Sequence, residues 1–328
     1  MHAQRSPLTI GLLVAVVVVA LQALLVPLFA GPAAHLAPRD LPIAVAGPPP
    51  ATQAIADRLA ADHPGAFAID QVATGAALDE AIRDRAVYGG IVVTPTGAEV
   101  HVASAAGPAV STLLSQAGAG LNAPVRDIVG VHSGDPRGTG FGAGFLPLAI
   151  TALLAGVLIF FAVPRRRARI TALLTFGVLA GFGGGAVLQY WLDVLPGDYL
   201  ANAGALALFA VAVAATMTGL GAVLDRAGLA LGALIVFLVG NALSAVSSAP
   251  ELLPQPWGAV GQWLPIGSGA TLLRSVVYFD GHGGATAALI LATYAMAGVL
   301  LVAVGRRGLA ERSEPVAPAA TPEPALVG

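Results

Sequence analysis

Arg165, Arg166, Arg167 and Arg169 place four guanidiniums within the six residues "PRRRAR" (164–169), between two long apolar stretches. Clustered guanidiniums bind phosphate, as a lipid headgroup or a nucleotide. Flanked by apolar runs, they also fix which side of a membrane a connection stays on. The topological role is the expectation here, and headgroup contact follows from it. A second polar set, Asn241, Ser244 and Ser248, recurs at near-helical spacing inside an apolar run. Polar side chains at membrane depth are costly; they line a path or hydrogen-bond a neighbouring helix, and both roles stay open for these three. Gln22 and Gln189 carry the same two readings. Arg274 stands alone among the arginines of the short connections on the side opposite "PRRRAR", and Glu251 and Asp280 are its expected ion-pair partners.

Other chemistry is excluded by composition. The chain has 328 residues, no cysteine and no lysine, all 16 basic side chains being arginine. Disulfides, thiolate metal sites and cysteine nucleophiles are therefore ruled out. A phosphate-binding loop of the form G-x-x-x-x-G-K-[ST] is impossible without lysine, so any ATP hydrolysis has to come from a partner. "GTGFGAG" (138–144) lacks that spacing and reads as a flexible entry to an apolar run. "GSG" (267–269) lacks the flanking glycines of a nucleophile elbow. Histidines 2, 35, 63, 101, 132 and 282 are scattered, so no metal or cofactor site and no enzymatic activity are expected. A net charge of −2 without a basic face argues against nucleic-acid binding.

The elements that must position these residues are dominated by hydrocarbon. The chain is 56% hydrophobic and 10% charged, against about 25% charged in an ordinary soluble domain. Six runs, near 8–30, 143–163, 170–192, 203–224, 229–248 and 285–305, reach the roughly 20 residues that a helix needs to cross a bilayer. The first exceeds the usual 7–15-residue core of a signal peptide and is expected to be an uncleaved anchor rather than a cleaved leader, despite the small residues of "LFAGPA". Arg5, the "PRRRAR" cluster, Arg226, Arg306, Arg307 and Arg312 all fall on connections of one parity, while Arg274 alone falls on the short connections of the other. The excess of arginine on the cytoplasmic side predicts a multi-pass protein of the cytoplasmic membrane with both termini in the cytoplasm. Gly177, Gly181 and Gly185 repeat every four residues in the third run, a pattern that lets helix backbones approach closely, within one protomer or across a dimer seam.

The same parity puts residues 31–142 outside, with six arginines against ten carboxylates. "LPIAVAG", "AFAIDQVA" and "GIVVTPTGAEVHVAS" read as strands, the last as two strands around Thr94-Pro95-Thr96-Gly97. "ATQAIADRLAADHPG", "TGAALDEAIRDRAVYGG" and "PAVSTLLSQAGAGL" read as helices, the third leading back to the membrane. The order β-α-β-α-β-β-α predicts a compact extracytoplasmic α/β domain. The full expectation is an α-helical integral membrane protein with six transmembrane helices and that domain inserted between the first and second. Residues 1–30 are the anchor, 31–142 the outer domain, 143–308 a five-helix bundle and 309–328 a disordered Pro/Ala-rich cytoplasmic tail. Within the bundle, "PELLPQPWGAVGQWLPIGSGATLLRSVVYFDG" reads as a re-entrant or interfacial segment near 250–280, with Trp257, Trp263 and Tyr278 at headgroup depth.

This layout, together with "LPIAVAGPPPATQAIADRLAADHPGAF", "EAIRDRAVYGGIVV", "ASAAGPAV", "SGDPRGTGFGAGFLPLAI" and "LPQPWGAVGQWLPIGSGATLLRSVVYFDG", resembles actinobacterial permease subunits of type-2 ABC exporters and the related phage-infection-protein-like membrane proteins. The resemblance spans nearly the whole chain and rests on architecture and loose motifs. It implies a homodimeric permease, driven by a separate cytoplasmic ATP-binding subunit, that exports a hydrophobic or amphipathic substrate. Such permeases grip their ATPase through cytoplasmic helices, and here only seven residues precede the first run and "PRRRAR" is short. A membrane scaffold or sensor, whose outer domain binds a ligand or an envelope protein, is the rival expectation.

Overall fold

The computed structural model describes residues 7–305 apart from 96 and 121. Arg5, Arg306, Arg307, Arg312, His2, Thr96 of the predicted turn and the tail 309–328 lie outside the described residues. Among those described, five helices are long and apolar enough to cross a membrane: Leu8–Pro32, Thr139–Ala162, Arg166–Trp191, Tyr199–Leu243 and Ala285–Val304.

The first, α1 (Pro7–Ala34), is apolar and stands exposed from Leu8 to Leu24, its last turns approaching Gly240–Leu243. A small mixed sheet and its helices follow: β1 (Leu41–Ala46), α2 (Pro49–Asp62), β2 (Phe67–Val72), α3 (Gly75–Arg83), β3 (Gly89–Thr94), β4 (Gly97–Val102), α4 (Pro108–Gly120) and β5 (Val125–Asp127). The strand order is β2-β1-β3-β4-β5; β1 runs parallel to β2 and β3, β3 pairs antiparallel with β4, and β4 runs parallel to β5. The seven elements expected from periodicity occur in the expected order. The addition is β5: α4 leads back to the sheet edge, not directly to an apolar helix. Its three exposed residues carry no alternating pattern that could announce a strand.

Period-two alternation sorts β1 between two cores. Leu41 and Ile43 join Val100, Val110 and Leu114 under α4, while Ala44 and Ala46 join Leu78 and Ile82 under α3. Gly90 is required by this packing, because a Cβ there would lie 2.0 Å from the Ala44 carbonyl oxygen. Neither core is closed by the sheet unit alone. Ala249 and Leu252 complete the first and Phe279 the second, all three from beyond the fourth apolar helix.

The helical layer is built on α7 (Tyr199–Gly232). Its small residues admit α5 (Thr139–Ala162), α6 (Arg166–Ala186, continued by a π-helical turn Val187–Trp191) and α11 (Ala285–Val304) on three sides. The apolar run of Tyr199–Leu243 spans 45 residues, about twice the length a helix needs to cross a bilayer. It is not straight. Asp225 sits at φ 56, ψ −137, a conformation in which an L-residue ends a right-handed helix. The chain then folds back. A Cβ at Gly228 would meet the Leu220 carbonyl oxygen, one at Gly232 would meet the Met217 sulfur, and Leu229 packs with Met217 and Phe160. The runs expected at 203–224 and 229–248 are thus two antiparallel arms of one element. The second arm, through the π-helical Ala233–Val239 and α8 (Gly240–Leu243), stops at Leu243 instead of reaching residue 248.

One further expectation is corrected, and another gains its local structure. "GTGFGAG" is not a flexible entry: α5 begins inside it, and the buried Asp135 carboxylate accepts a hydrogen bond from the Phe141 N–H (3.0 Å), capping the first turn. The segment expected as a re-entrant or interfacial hairpin forms α9 (Trp257–Gln262) and α10 (Pro265–Tyr278), and α10 is buried along most of its length between the sheet unit and the helical layer. Trp257 and Trp263 remain exposed, whereas Tyr278 is turned inward.

The connections sort to two ends. At one, the C-termini of α5 and α11 meet the start of α6 and the reversal at Asp225: Arg166 donates to the Ala303 carbonyl (2.9 Å), and Gly305 lies against Ala222. At the other, the sheet unit meets 192–198, Ser244–Leu253 and 279–284. There Gly134 backs onto Asp193, and the Ala37 N–H donates to the Leu252 carbonyl (3.0 Å).

Candidate functional site

Arg274 does not form the expected ion pair. It lies on α10, 6% exposed, stacked 4.9 Å from the Phe141 ring centroid, with Nη2 donating to the Val246 carbonyl (2.6 Å). Glu251 instead accepts from the Tyr88 hydroxyl (2.9 Å), and Asp280, at φ 49, occupies the turn after α10. The reason is geometric: the chain between Glu251 and α10 folds through α9, and Tyr88 from the sheet unit fills the place beside the carboxylate.

The unforeseen partner is Arg85. At φ 57 it ends the turn after α3, and its side chain crosses from the sheet unit to α10. Its Nη1 donates to the Ser275 hydroxyl and the Thr271 carbonyl (3.3 Å), and its guanidinium lies 5.2 Å from the Phe279 ring centroid. Arg85 and Arg274 line one cavity of about 330 Å³, with Tyr88, Glu251, Gln262 and Trp263 also in its wall. Burial, and then the Arg85 charge, push the Arg274 guanidinium down to about 10, and burial lowers Arg85 as well. A guanidinium stays charged at neutral pH. Burial, and then Glu251, push the Tyr88 hydroxyl well above its ordinary range, so it remains a neutral donor. The site therefore holds two guanidiniums, one carboxylate and a phenol at the seam between sheet and helices.

Asn241, Ser244 and Ser248 do come together, though not on a helical face, since α8 stops at Leu243. Ser244 Oγ donates to the Asn241 carbonyl (2.8 Å) at the helix end. All three line a second cavity of about 400 Å³ between α1, α5 and α8, whose remaining wall includes Phe29, Phe145 and Leu146. This cavity is mainly apolar, with Asn241 and the serines as its polar part.

At the opposite end the arginines divide. Arg169 is buried: its Nε donates to the Val163 carbonyl (2.6 Å) and its Nη2 to the Phe160 carbonyl (3.1 Å), satisfying the C-terminal carbonyls of α5. Arg166 does the same for α11 through Ala303, while Arg165 and Arg167 are exposed. Gly177, Gly181 and Gly185 face α7 within the chain, where a Cβ at Gly181 would lie 2.3 Å from the Ala203 carbonyl oxygen. Gln22 is exposed on α1, and Gln189 ties α6 to the following turn through the Gly197 carbonyl (2.9 Å).

Sequence reading also missed three histidine–aspartate contacts. His101 Nδ1 lies 2.6 Å from Asp79 Oδ1 inside the sheet unit. His132 Nε2 lies 3.0 Å from Asp193, and His282 Nδ1 lies 2.8 Å from Asp84; both of these bridge the sheet unit to the helical layer. No local signal announces pairs so far apart in sequence. Among the described residues no three histidine or carboxylate side chains gather as metal ligands. Ser268 of "GSG" is buried within α10 and donates to the Gln262 carbonyl (2.6 Å).

Five apolar helices beside a small mixed sheet are compatible with a membrane protein. Set against family models, curated proteins and solved structures, the chain matches none.

Proposed function

We propose that the chain is the permease subunit of an exporter in the cytoplasmic membrane, working as a homodimer with a separate ATP-binding subunit to move a hydrophobic or amphipathic substrate. It crosses the bilayer six times, the reversal at Asp225 dividing Tyr199–Leu243 into two crossings. Both termini lie in the cytoplasm, and the sheet unit of residues 31–142 is an extracytoplasmic domain. The sorting of connections to two ends supports this count, because the arginine-rich stretch 164–169 and the Asp225 reversal share one end and the sheet unit occupies the other.

The observation that carries the transport reading is the 400 Å³ cavity, where Asn241, Ser244 and Ser248 set polar groups against apolar walls beside the exposed helix α1. An amphipathic molecule entering sideways from the bilayer meets both kinds of surface there.

A non-transporting scaffold or sensor is the second reading, favoured by one observation. Only Val163, Pro164 and Arg165 separate α5 from α6, and Arg166 and Arg169 are tied to helix ends, which leaves little for an ATPase to grip among the described residues. Cross-linked co-purification from native membranes separates the two. Recovery of an ATP-binding subunit whose hydrolysis rises with added amphiphile supports the permease; recovery of envelope proteins alone supports the sensor.

A further inference from the structure

The cavity between Arg85 and Arg274 has an unbalanced charge. Each guanidinium spends one nitrogen on the protein: Arg85 Nη1 on Ser275 and Thr271, Arg274 Nη2 on the Val246 carbonyl. Their other N–H groups have no hydrogen-bond partner among the described residues. The one carboxylate in the wall, Glu251, accepts from the Tyr88 hydroxyl and offsets one of the two guanidinium charges, so one positive charge remains in excess. A buried positive charge left uncompensated is costly, and a site that keeps one is prepared for an anion.

The walls describe what the anion is attached to. The wall combines the guanidiniums, Tyr88 and Gln262 with Ala287 and Ile290 from the first turns of α11 and with Trp263, which is 66% exposed. A tryptophan beside the sheet-side end of an apolar helix sits at the height of a membrane interface. At about 330 Å³ the cavity falls at the lower end of the roughly 300–1,000 Å³ typical of ligand sites, enough for a headgroup but not for acyl chains.

We propose that this cavity binds a phosphate group, carried as the headgroup of an anionic amphiphile and held between Arg85 and Arg274, with the hydrocarbon leaving past Ile290 and Trp263 along α11. Binding of this kind is independent of transport. If the permease reading above holds, it adds that the substrate, or a lipid the transporter requires, is an anionic amphiphile.

Trp263 is a built-in reporter, because the chain has three tryptophans and the other two, Trp191 and Trp257, are both exposed. In a full-length Trp191→Phe, Trp257→Phe background in nanodiscs, brominated-acyl phosphatidylglycerol should quench Trp263 several-fold more strongly than brominated phosphatidylcholine at equal mole fraction. Arg85→Gln should abolish that preference, Arg85→Lys should retain part of it, and Glu251→Gln should strengthen it. Arg85 is less buried than Arg274, so its variants keep the test available if Arg274→Gln does not fold; thermal melting checks each preparation. A second arm adds inorganic phosphate against chloride at matched ionic strength. Phosphate-specific thermal stabilisation that Arg85→Gln loses, without lipid preference, supports the anion site with a soluble phosphate as its source. Equal quenching by both lipids with no phosphate effect overturns the proposal. So does a lipid preference that survives Arg85→Gln and ignores Glu251→Gln, which would be bulk surface attraction. No ATPase is present in either arm, so failure here is distinct from failure of the transport reading.

Discussion

Replacing Gly181 by alanine tests the packing on which the helical layer depends. The added Cβ would lie 2.3 Å from the Ala203 carbonyl oxygen, 2.8 Å from Ala207 Cβ and 3.0 Å from the Ala207 nitrogen. Two of the three are backbone atoms of α7, so no side chain can swing away and the helices must part. Overpacking of this kind costs about 1–3 kcal/mol. The higher helix propensity of alanine returns up to about 1 kcal/mol. Gly183→Ala on the same helix is the matched control: nothing lies within 4 Å of its Cβ, so only the propensity gain of about 1 kcal/mol remains. The propensity gain cancels between the two variants, which should differ by the overpacking cost of about 1–3 kcal/mol, roughly 5- to 150-fold in the folded-to-unfolded ratio. Equilibrium unfolding of the purified proteins in mixed micelles, followed by circular dichroism, measures it. Equal stabilities would refute the reasoning. A Gly181→Ala variant that loses dimer while its monomer keeps full stability would also refute it, placing the glycine seam between copies.

Arg169→Ala should cost about 1–3 kcal/mol in the same assay, because the Phe160 and Val163 carbonyls lose a buried charged donor. The exposed Arg167→Ala should stay within about 0.5 kcal/mol. Since the chain has no cysteine, single cysteines at positions 60, 168 and 197 should react with a membrane-impermeant thiol reagent in intact cells at 60 and 197 and stay protected at 168 until the membrane is opened. Labelling of 168 from outside would overturn the six-crossing arrangement.

The apolar runs were legible because hydropathy is a sum over neighbours in sequence and needs no knowledge of what they touch. The order of strands and helices in residues 31–142 was legible for a related reason: alternation in "LPIAVA" and the Ile-x-x-x-Leu spacing of "ATQAIADRLAADHPG" are local periods. β5 was not, since three exposed residues carry no period. The reversal at Asp225 was half legible: two runs were discerned, but not that their arms press together at Gly228 and Gly232.

The sites divide along the same line. The cluster of Asn241, Ser244 and Ser248 stood out because polar residues are rare in such a run, yet the helix end at Leu243 had to be seen to learn that these residues line a cavity instead of a helical face. Arg274 stood out by its isolation, and its partner was misjudged. Sequence distance favoured Glu251 and Asp280, whereas the fold brings Arg85 from 189 positions away. By itself the sequence determined where the chain is greasy and which segments become strands or helices, because these depend on each residue's own solvation and on its near neighbours. Only the tertiary structure decided which two guanidiniums share a cavity and which carboxylate a phenol takes. Those outcomes turn on how a sheet packs against helices, a long-range property that no window along the chain contains.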